Sequence, residues 1–388
     1  MNDFKFENPT RFYFGRKQLQ HLSEELSGSK TVMLVYGTGS IKESGLYDRV
    51  VKLIEGVEAR VVEFGGIASN PTWAKVEEGA ALANDEDVDF ILGVGGGSVM
   101  DCVKAISLAA RQDRAWKRHW VRTEPIIVDP IPHGFVVTCA GSGSEGNGRA
   151  VILNEKTRVK AGEDYPELNA RFAILEPELT FTVPREQTIA GALTTLSHLT
   201  EIYFSPAIGG IIADDLLEAT MKSVMGSLET VLENPEDYNA RANLLWASSL
   251  AENHVLACGK DGLYQIRMIA NQVSAHTGCP YGLGIAAIQA PYYRFIKVTS
   301  ALVTWQLKRF AVNIFGVNPT GKTDIDVAIE GIDALQAWTQ KVGAFHTLGE
   351  LGVTLDLVPK IGRSTKIVPM KYCRLNSDDI EILLEQCL

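Results

Sequence analysis

The stretch VDFILGVGGGSVMDCVK, residues 88–104, decides how the first half of the chain is read. Its opening run of apolar residues is short and nearly unbroken, as in a strand buried on both faces of a sheet. Three glycines and a serine follow, and then apolar residues at helical spacing. A strand, a tight turn and a helix in that order leave bare backbone N–H groups at a helix N-terminus. These groups carry partial positive charge, and with no Cβ in the way a phosphate can approach them closely. A pyrophosphate is the expected occupant of Gly95, Gly96, Gly97 and Ser98. GGGS alone is a weak signal; the flanking strand and helix give it force.

Outward from this turn, strand-like runs occur at KTVMLVYG (30–37), EARVVEFGG (58–66), HGFVVTCA (133–140) and RAVILN (149–154). Helical patterns lie between them, around 42–55, 72–86 and 98–112, which predicts a parallel sheet built from βαβ units. Two further turns of small residues, YGTGSIK (36–42) and TCAGSGSEGN (138–147), end strands in the same way. Three such turns at successive strand ends are expected to line one crevice, the place where sheets of this kind bind ligands. The first turn suits the adenosine end of a dinucleotide. Thr38, Gly39 and Ser40 include no acid to repel a 2′-phosphate, and Lys42 follows closely, so NADP is the expected cofactor, with NAD possible.

After LEPELTFTVPREQ (175–187) the strand signals stop, and apolar patterns of helical period take over at 187–204, 209–231, 238–258 and 262–275. Pro184 marks the change, since it suits a linker or a first helical turn. The expected organisation is an α/β dinucleotide-binding domain over 1–184 and an all-helical substrate domain over 185–388.

Composition agrees with a soluble enzyme: 388 residues, 46 % hydrophobic and 22 % charged, are enough for two cores. A net charge of −10 gives no general attraction to nucleic acid or to an anionic membrane. The cluster Arg111, Arg114, Lys117 and Arg118 reads as a solvated face. Six scattered cysteines without a CxxC spacing argue for reduced thiols. No run of 18 apolar residues occurs, and MNDFKFENPTRFYFG lacks the cationic and apolar pattern of a signal peptide, so a cytoplasmic location is expected.

Several ordered motifs carry a family resemblance: YGTGSIK, NPT at 70–72, GGGSVMDCVKAI, GSE at 143–145, FTVPREQTIAG at 181–191, HLTEIYF at 198–204, ARANLLWASSLAENH at 240–254 and YGLGIAAIQAP at 281–291. Through them the chain resembles the iron-containing (group III) alcohol dehydrogenases, in the butanol dehydrogenase branch, nearly end to end. The resemblance implies an N-terminal Rossmann-like α/β nucleotide-binding domain and an all-α C-terminal domain, the dehydroquinate synthase-like fold. It also implies a dinucleotide in the cleft between them and a homodimer. Carried over by position, Gly95, Gly96, Gly97, Ser98 and Asp101 would meet the pyrophosphate, and Gly37, Thr38, Gly39 and Ser40 the adenosine ribose. Thr138, Ser142 and Asn147 would approach the nicotinamide half, Lys160 its ribose and Leu179 the adenine, with Asn70 in the same set.

The metal positions depart from that pattern. In the family an aspartate and a histidine spaced i, i+4 on one helix, then two later histidines, hold a divalent ion that acts as a Lewis acid on the substrate oxygen. Here the four positions read Thr194, His198, Arg267 and Tyr281, and a further family histidine is Asn271. A guanidinium stays protonated and offers no lone pair. At ~4 Å from a dication and an effective dielectric of ~20 it adds roughly 8 kcal/mol of repulsion. His254, His276 and Cys279 reproduce no ligand spacing, so no metal is expected.

The expected chemistry is hydride transfer to or from a small carbonyl or imine, with the metal's work reassigned. Arg267 would supply positive charge, Tyr281 or His198 would exchange the proton, Asn271 would hold the substrate, and Thr194 lines the same helix face. The alternative is a catalytically dead or redox-neutral nucleotide-binding relative, with Arg267 bridged to a partner such as Glu201, one turn beyond His198.

Overall fold

The computed structural model describes the chain from Met1 to Leu388 apart from residues 206–210, 261–264, 298, 345–346, 369–372 and 374. It divides into two compact units, one formed by Glu7–Val183 with Glu236–Asn253, the other by Met1–Phe6, Pro184–Pro235 and His254–Leu388.

The first unit is built on a sheet of six strands, β1 (Arg11–Phe14), β2 (Thr31–Tyr36), β3 (Arg60–Phe64), β4 (Phe90–Gly95), β5 (His133–Val137) and β8 (Phe172–Leu175). Their order is β1-β8-β5-β4-β2-β3 and every pairing is parallel. Helices α1 (Leu22–Glu25), α2 (Ser40–Glu43), α3 (Leu46–Glu55), α4 (Trp73–Asp85) and α5 (Gly97–Ala109) accompany it.

The alternation along each strand assigns its residues to opposite faces. Met33, Val35, Ile91, Phe135 and Val137 join Val76 and Ala80 of α4 and Val103 and Ile106 of α5 in one core. Val32, Leu34, Phe90, Leu92 and Val136 join Leu22, Val50 and Ile54 of α1 and α3 in the other. Both faces are therefore covered, which is why β2 and β4 read as continuous apolar runs instead of alternating.

Three details differ from the sequence expectation. RAVILN does not enter the sheet: β6 (Ile152–Asn154) pairs antiparallel with β7 (Val159–Ala161). The Asn154 side chain turns the hairpin by accepting hydrogen bonds from Lys156 N (3.1 Å) and Thr157 N (3.2 Å). The strands β1 and β8, each of four residues, were too short to announce themselves. The helical pattern at 42–55 is two helices, broken at Ser44 and Gly45.

The second half is helical among the described residues: α6 (Arg185–Phe204), α7 (Ile211–Glu233), α8 (Tyr238–Glu252), α9 (Gln265–Thr277), α10 (Tyr281–Ile296), α11 (Ala301–Phe315), α12 (Asp324–Lys341), α13 (Val358–Ser364) and α14 (Ser377–Glu385). The starts of the patterns expected at 209–231 and 262–275 lie outside the described residues. Helix α6 is the axis of its unit, with every residue from Thr195 to Phe204 buried. None of the described helices is long and apolar enough to cross a membrane, and the six cysteines are free.

The boundary at 184 needs one correction, because α8 belongs with the sheet and not with the helices that flank it in sequence. Ser248 Oγ accepts hydrogen bonds from Gly141 N (2.8 Å) and Gly143 N (3.0 Å), and Ser249 Oγ donates to Glu145. Trp246 packs edge-on against Phe12 and Phe14 at 5.8 and 5.6 Å between ring centroids. Conversely, the first six residues join the helical unit, where Asn2 N donates to Gly259 O at 3.1 Å.

The sheet edge is pinned by Glu25. Arg11 donates to both carboxylate oxygens (2.8 and 2.7 Å) and the Tyr13 hydroxyl to one of them (2.8 Å). Burial raises the Glu25 carboxyl, but the hydrogen bonds from Arg11 and Tyr13 and the charges of Arg11 and Arg171 outweigh it and hold it below the usual carboxylate range. A lowered folded-state pKa contributes stability above the unfolded value of about 4.3, lost as pH falls through the folded value. Glu25→Gln is expected to cost about 1–2 kcal/mol at pH 7. In urea unfolding, the gap between variant and parent should narrow progressively as pH falls below the unfolded value; a constant gap would refute the assignment.

Candidate active site and nucleotide-binding turns

In the helical unit, α6 carries Thr194 and His198 one turn apart, and Glu201 follows His198 by three residues on the same helix. Helix α10 begins at Tyr281, directly after Pro280. Its second residue lies so close to α6 that a Cβ on Gly282 would sit 1.9 Å from Ala190 O and 2.7 Å from Thr194 Oγ1. Only glycine permits that approach, and it brings the Tyr281 ring to 6.1 Å from the His198 ring. Thr194 turns its hydroxyl back along the helix and donates to Ala190 O at 2.7 Å.

Helix α9 supplies Arg267 and, one turn on, Asn271, both buried. Arg267 Nε donates to Glu201 Oε2 at 2.9 Å, with side-chain exposures of 6 % and 2 %. The bridge expected between these residues is present. Burial makes it costly to break, because a charge removed from water is tolerated only beside its counter-charge. Thr194, His198, Glu201, Arg267 and Tyr281 thus converge from three helices.

These residues do not fit a divalent cation. The hydroxyl of Thr194 is engaged with its own helix, Arg267 offers no lone pair, and the Glu201 carboxylate is held by Arg267. Among the described residues no group of three or more His, Cys, Asp and Glu side chains is arranged to hold a metal ion. His276 lies 3.5 Å from Ser364 Oγ, and Cys279 hydrogen-bonds through its backbone to Ser274.

In the sheet unit the three small-residue turns follow β2, β4 and β5, which are neighbours in the sheet. The second and third are in contact: a Cβ on Gly97 would meet the Ser142 side chain at 2.6 Å. Thr138 N donates to Gly95 O at 3.0 Å. Ser98 Oγ donates to Ser69 O (2.5 Å), and Lys160 Nζ to Asn70 Oδ1 (2.8 Å), which ties the loop before α4 to the pyrophosphate turn and to β7. Leu179 packs on the edge of the core that contains β2 and α3. Gly37, Thr38, Gly39 and Ser40 link β2 to α2.

Asp101 and Asn147 are both hydrogen-bonded within the protein. Asp101 accepts from Ser144 Oγ (2.6 Å) and Val151 N (3.0 Å). Asn147, 2 % exposed, donates to Gly143 O and Glu252 O and accepts from Arg149 N and Lys104 Nζ. Both are engaged in fixing the third turn. So is Lys104, which sequence reasoning missed: fully buried, it also donates to Ser144 and Arg149 O, and burial pushes its ammonium down to about 8. The available signal was its place three residues after Asp101 on α5.

Residues 9–177 match the pattern of iron-containing alcohol dehydrogenases, and residues 188–388 that of the C-terminal region of the Fe-containing alcohol dehydrogenase family. The chain belongs to the iron-containing alcohol dehydrogenase family. It is 34 % identical over 392 residues, the full length of both proteins, to the probable NADH-dependent butanol dehydrogenase 1 of Bacillus subtilis. An NADPH-dependent aldehyde reductase of Escherichia coli is 28 % identical over 366 residues, covering 93 % of this chain and 92 % of that protein. The crystal structure of NADH-dependent butanol dehydrogenase A from Thermotoga maritima superposes with a TM-score of 0.94 at 32 % identity, covering 100 % of this chain and 99 % of that one. Within the iron-containing alcohol dehydrogenase fold, this member carries a guanidinium–carboxylate pair that joins α9 to α6.

Arg267→Ala is expected to cost about 3–5 kcal/mol, because it leaves the Glu201 carboxylate buried without its counter-charge. Combining it with Glu201→Ala should recover at least about 1 kcal/mol of that loss. A double-mutant cycle by chemical denaturation measures the coupling, and additive effects would show that the pair is not the stabilising unit.

Proposed function

We propose that the chain is an NAD(P)H-dependent oxidoreductase that reduces a small carbonyl or imine, or oxidises the corresponding alcohol, without a divalent ion. NADP is the favoured cofactor, because the turn Thr38–Gly39–Ser40 holds no acid and Lys42 follows it, and NAD the possible one; relatives of both kinds occur. The observation that carries the reading is the approach of the Tyr281 ring on α10 to the His198 ring on α6, 6.1 Å between centroids, which puts two groups able to exchange a proton side by side. Family membership supports the oxidoreductase class, and the retained glycine turns support the dinucleotide.

When bound, the dinucleotide supplies or accepts the hydride. The remaining work falls to the chain. Glu201 cancels the net charge of Arg267, so the guanidinium does not stand in for a dication; it contributes fixed, directional N–H donors in a water-poor site. The phenol of Tyr281 and the imidazole of His198 hold and exchange the proton at the substrate heteroatom. Asn271 offers a neutral hydrogen bond to the substrate. The same reading includes a cytoplasmic homodimer acting on a small molecule, away from nucleic acid and membranes.

The ion pair also favours a second reading. A guanidinium locked onto Glu201 has less freedom to meet a substrate, which suits a nucleotide-binding relative that does no net redox chemistry. Metal analysis of the purified protein, with fluorescence titrations of NADH and NADPH and aldehyde and imine reduction in the presence of chelator, separates the two. Chelator-resistant reduction is expected. Stoichiometric iron or zinc overturns the metal-free reading, failure to bind either dinucleotide overturns the oxidoreductase, and binding without turnover leaves the second reading standing. If Tyr281 exchanges the proton, Tyr281→Phe lowers kcat by about 10²-fold with dinucleotide affinity kept; an unchanged kcat assigns the proton elsewhere.

A further inference from the structure

One cluster beside the first glycine turn has no part in the chemistry above. Glu63, next to last in β3, receives three donors from the elements around that turn. Lys42 of α2 places its Nζ 2.5 Å from Glu63 Oε1. The hydroxyl of Tyr36, the last residue of β2, donates to the same oxygen, and that of Tyr47 on α3 donates to Oε2 at 2.9 Å. The ammonium also lies 5.1 and 4.6 Å from the centroids of the Tyr36 and Tyr47 rings. Hydrogen bonds from Lys42 and Tyr36 hold the Glu63 carboxyl down at about 2, so it is ionised throughout the working range.

Stability does not account for this arrangement. The side chains of Lys42 and Glu63 are 47 % and 42 % exposed, and exposed pairs contribute little to folding. Exposure does leave both reachable by a ligand at the turn. A dinucleotide with a free 2′-hydroxyl presents a donor, which a carboxylate accepts; one with a 2′-phosphate presents a dianion, which an ammonium attracts and a carboxylate repels. Glu63 keeps one of about four lone-pair positions beyond its three donors.

We propose that the Lys42–Glu63 pair is the contact that sets the preference between NADPH and NADH: Lys42 admits the 2′-phosphate, Glu63 restrains Lys42 and accepts from a free 2′-hydroxyl, and together they hold the choice near balance. This rests on the placement of the dinucleotide's adenosine end at Gly37–Ser40. Tyr36 and Tyr47 are positioning residues that fix the carboxylate.

The test is dissociation constants for NADH and NADPH from nicotinamide fluorescence, at low ionic strength, on the whole protein, so that it does not depend on turnover. Glu63→Gln frees the ammonium and should shift the ratio of affinities toward NADPH by about tenfold; Lys42→Met leaves the carboxylate alone and should shift it toward NADH by about tenfold. The double variant, again without net charge at the pair, should return to within about threefold of the parent ratio. Opposite shifts that added salt weakens are the signature of charge and would not arise from a loosened fold. Parent protein that binds both dinucleotides with a ratio unmoved, or moved the same way, by both single changes overturns the proposal and leaves the oxidoreductase reading intact. Parent protein that binds neither removes that reading and this one with it.

Discussion

A parallel sheet covered by helices on both faces has only its strand ends free to meet a ligand, and that constraint organises the first unit. Six parallel strands send alternate residues into two separate cores, so no face remains to bind anything. The C-terminal ends of β2, β4 and β5 carry the small-residue turns, and the third of these is held in place by a buried polar network. Lys104, Asp101, Asn147 and Glu145 engage its backbone and side chains from α5 and from within the turn, while Ser248 and Ser249 reach it from α8. Each of these groups is buried beside a partner, which gives the turn a single shape.

The helical unit is under a different constraint. Helix α6 is buried on all sides along its second half, so any polar group there needs a partner inside the protein. In this chain Glu201 is met by Arg267, a cation delivered by the sequence itself. A guanidinium paired in this way is a set of aimed hydrogen-bond donors with little net charge.

Legibility in the sequence followed interaction range. The strands β2 to β5, the three glycine turns and helices α4, α5 and α6 are set by neighbours in the chain, through period and turn chemistry, and they lie where the sequence places them. The short β1 and β8 depend on pairing partners 161 residues apart, as in Arg11 opposite Phe172, and four residues hold too little pattern to reveal this. RAVILN has strand composition, yet Asn154 folds it onto β7 before it can reach the sheet. The internal hydrogen bonds of Asp101 and Asn147, set by α5 and α8, join segments distant in sequence and so were not legible in it.

The amino-acid sequence alone determined the fold class and the family, because period, glycine spacing and side-chain identity are local properties that need no coordinates. Tertiary structure decided which core α8 serves, that Arg267 is neutralised by Glu201, and that Lys42 is restrained by Glu63. Those outcomes depend on which charges meet after distant segments pack, and charge acts through distance in space, which one-dimensional order does not contain.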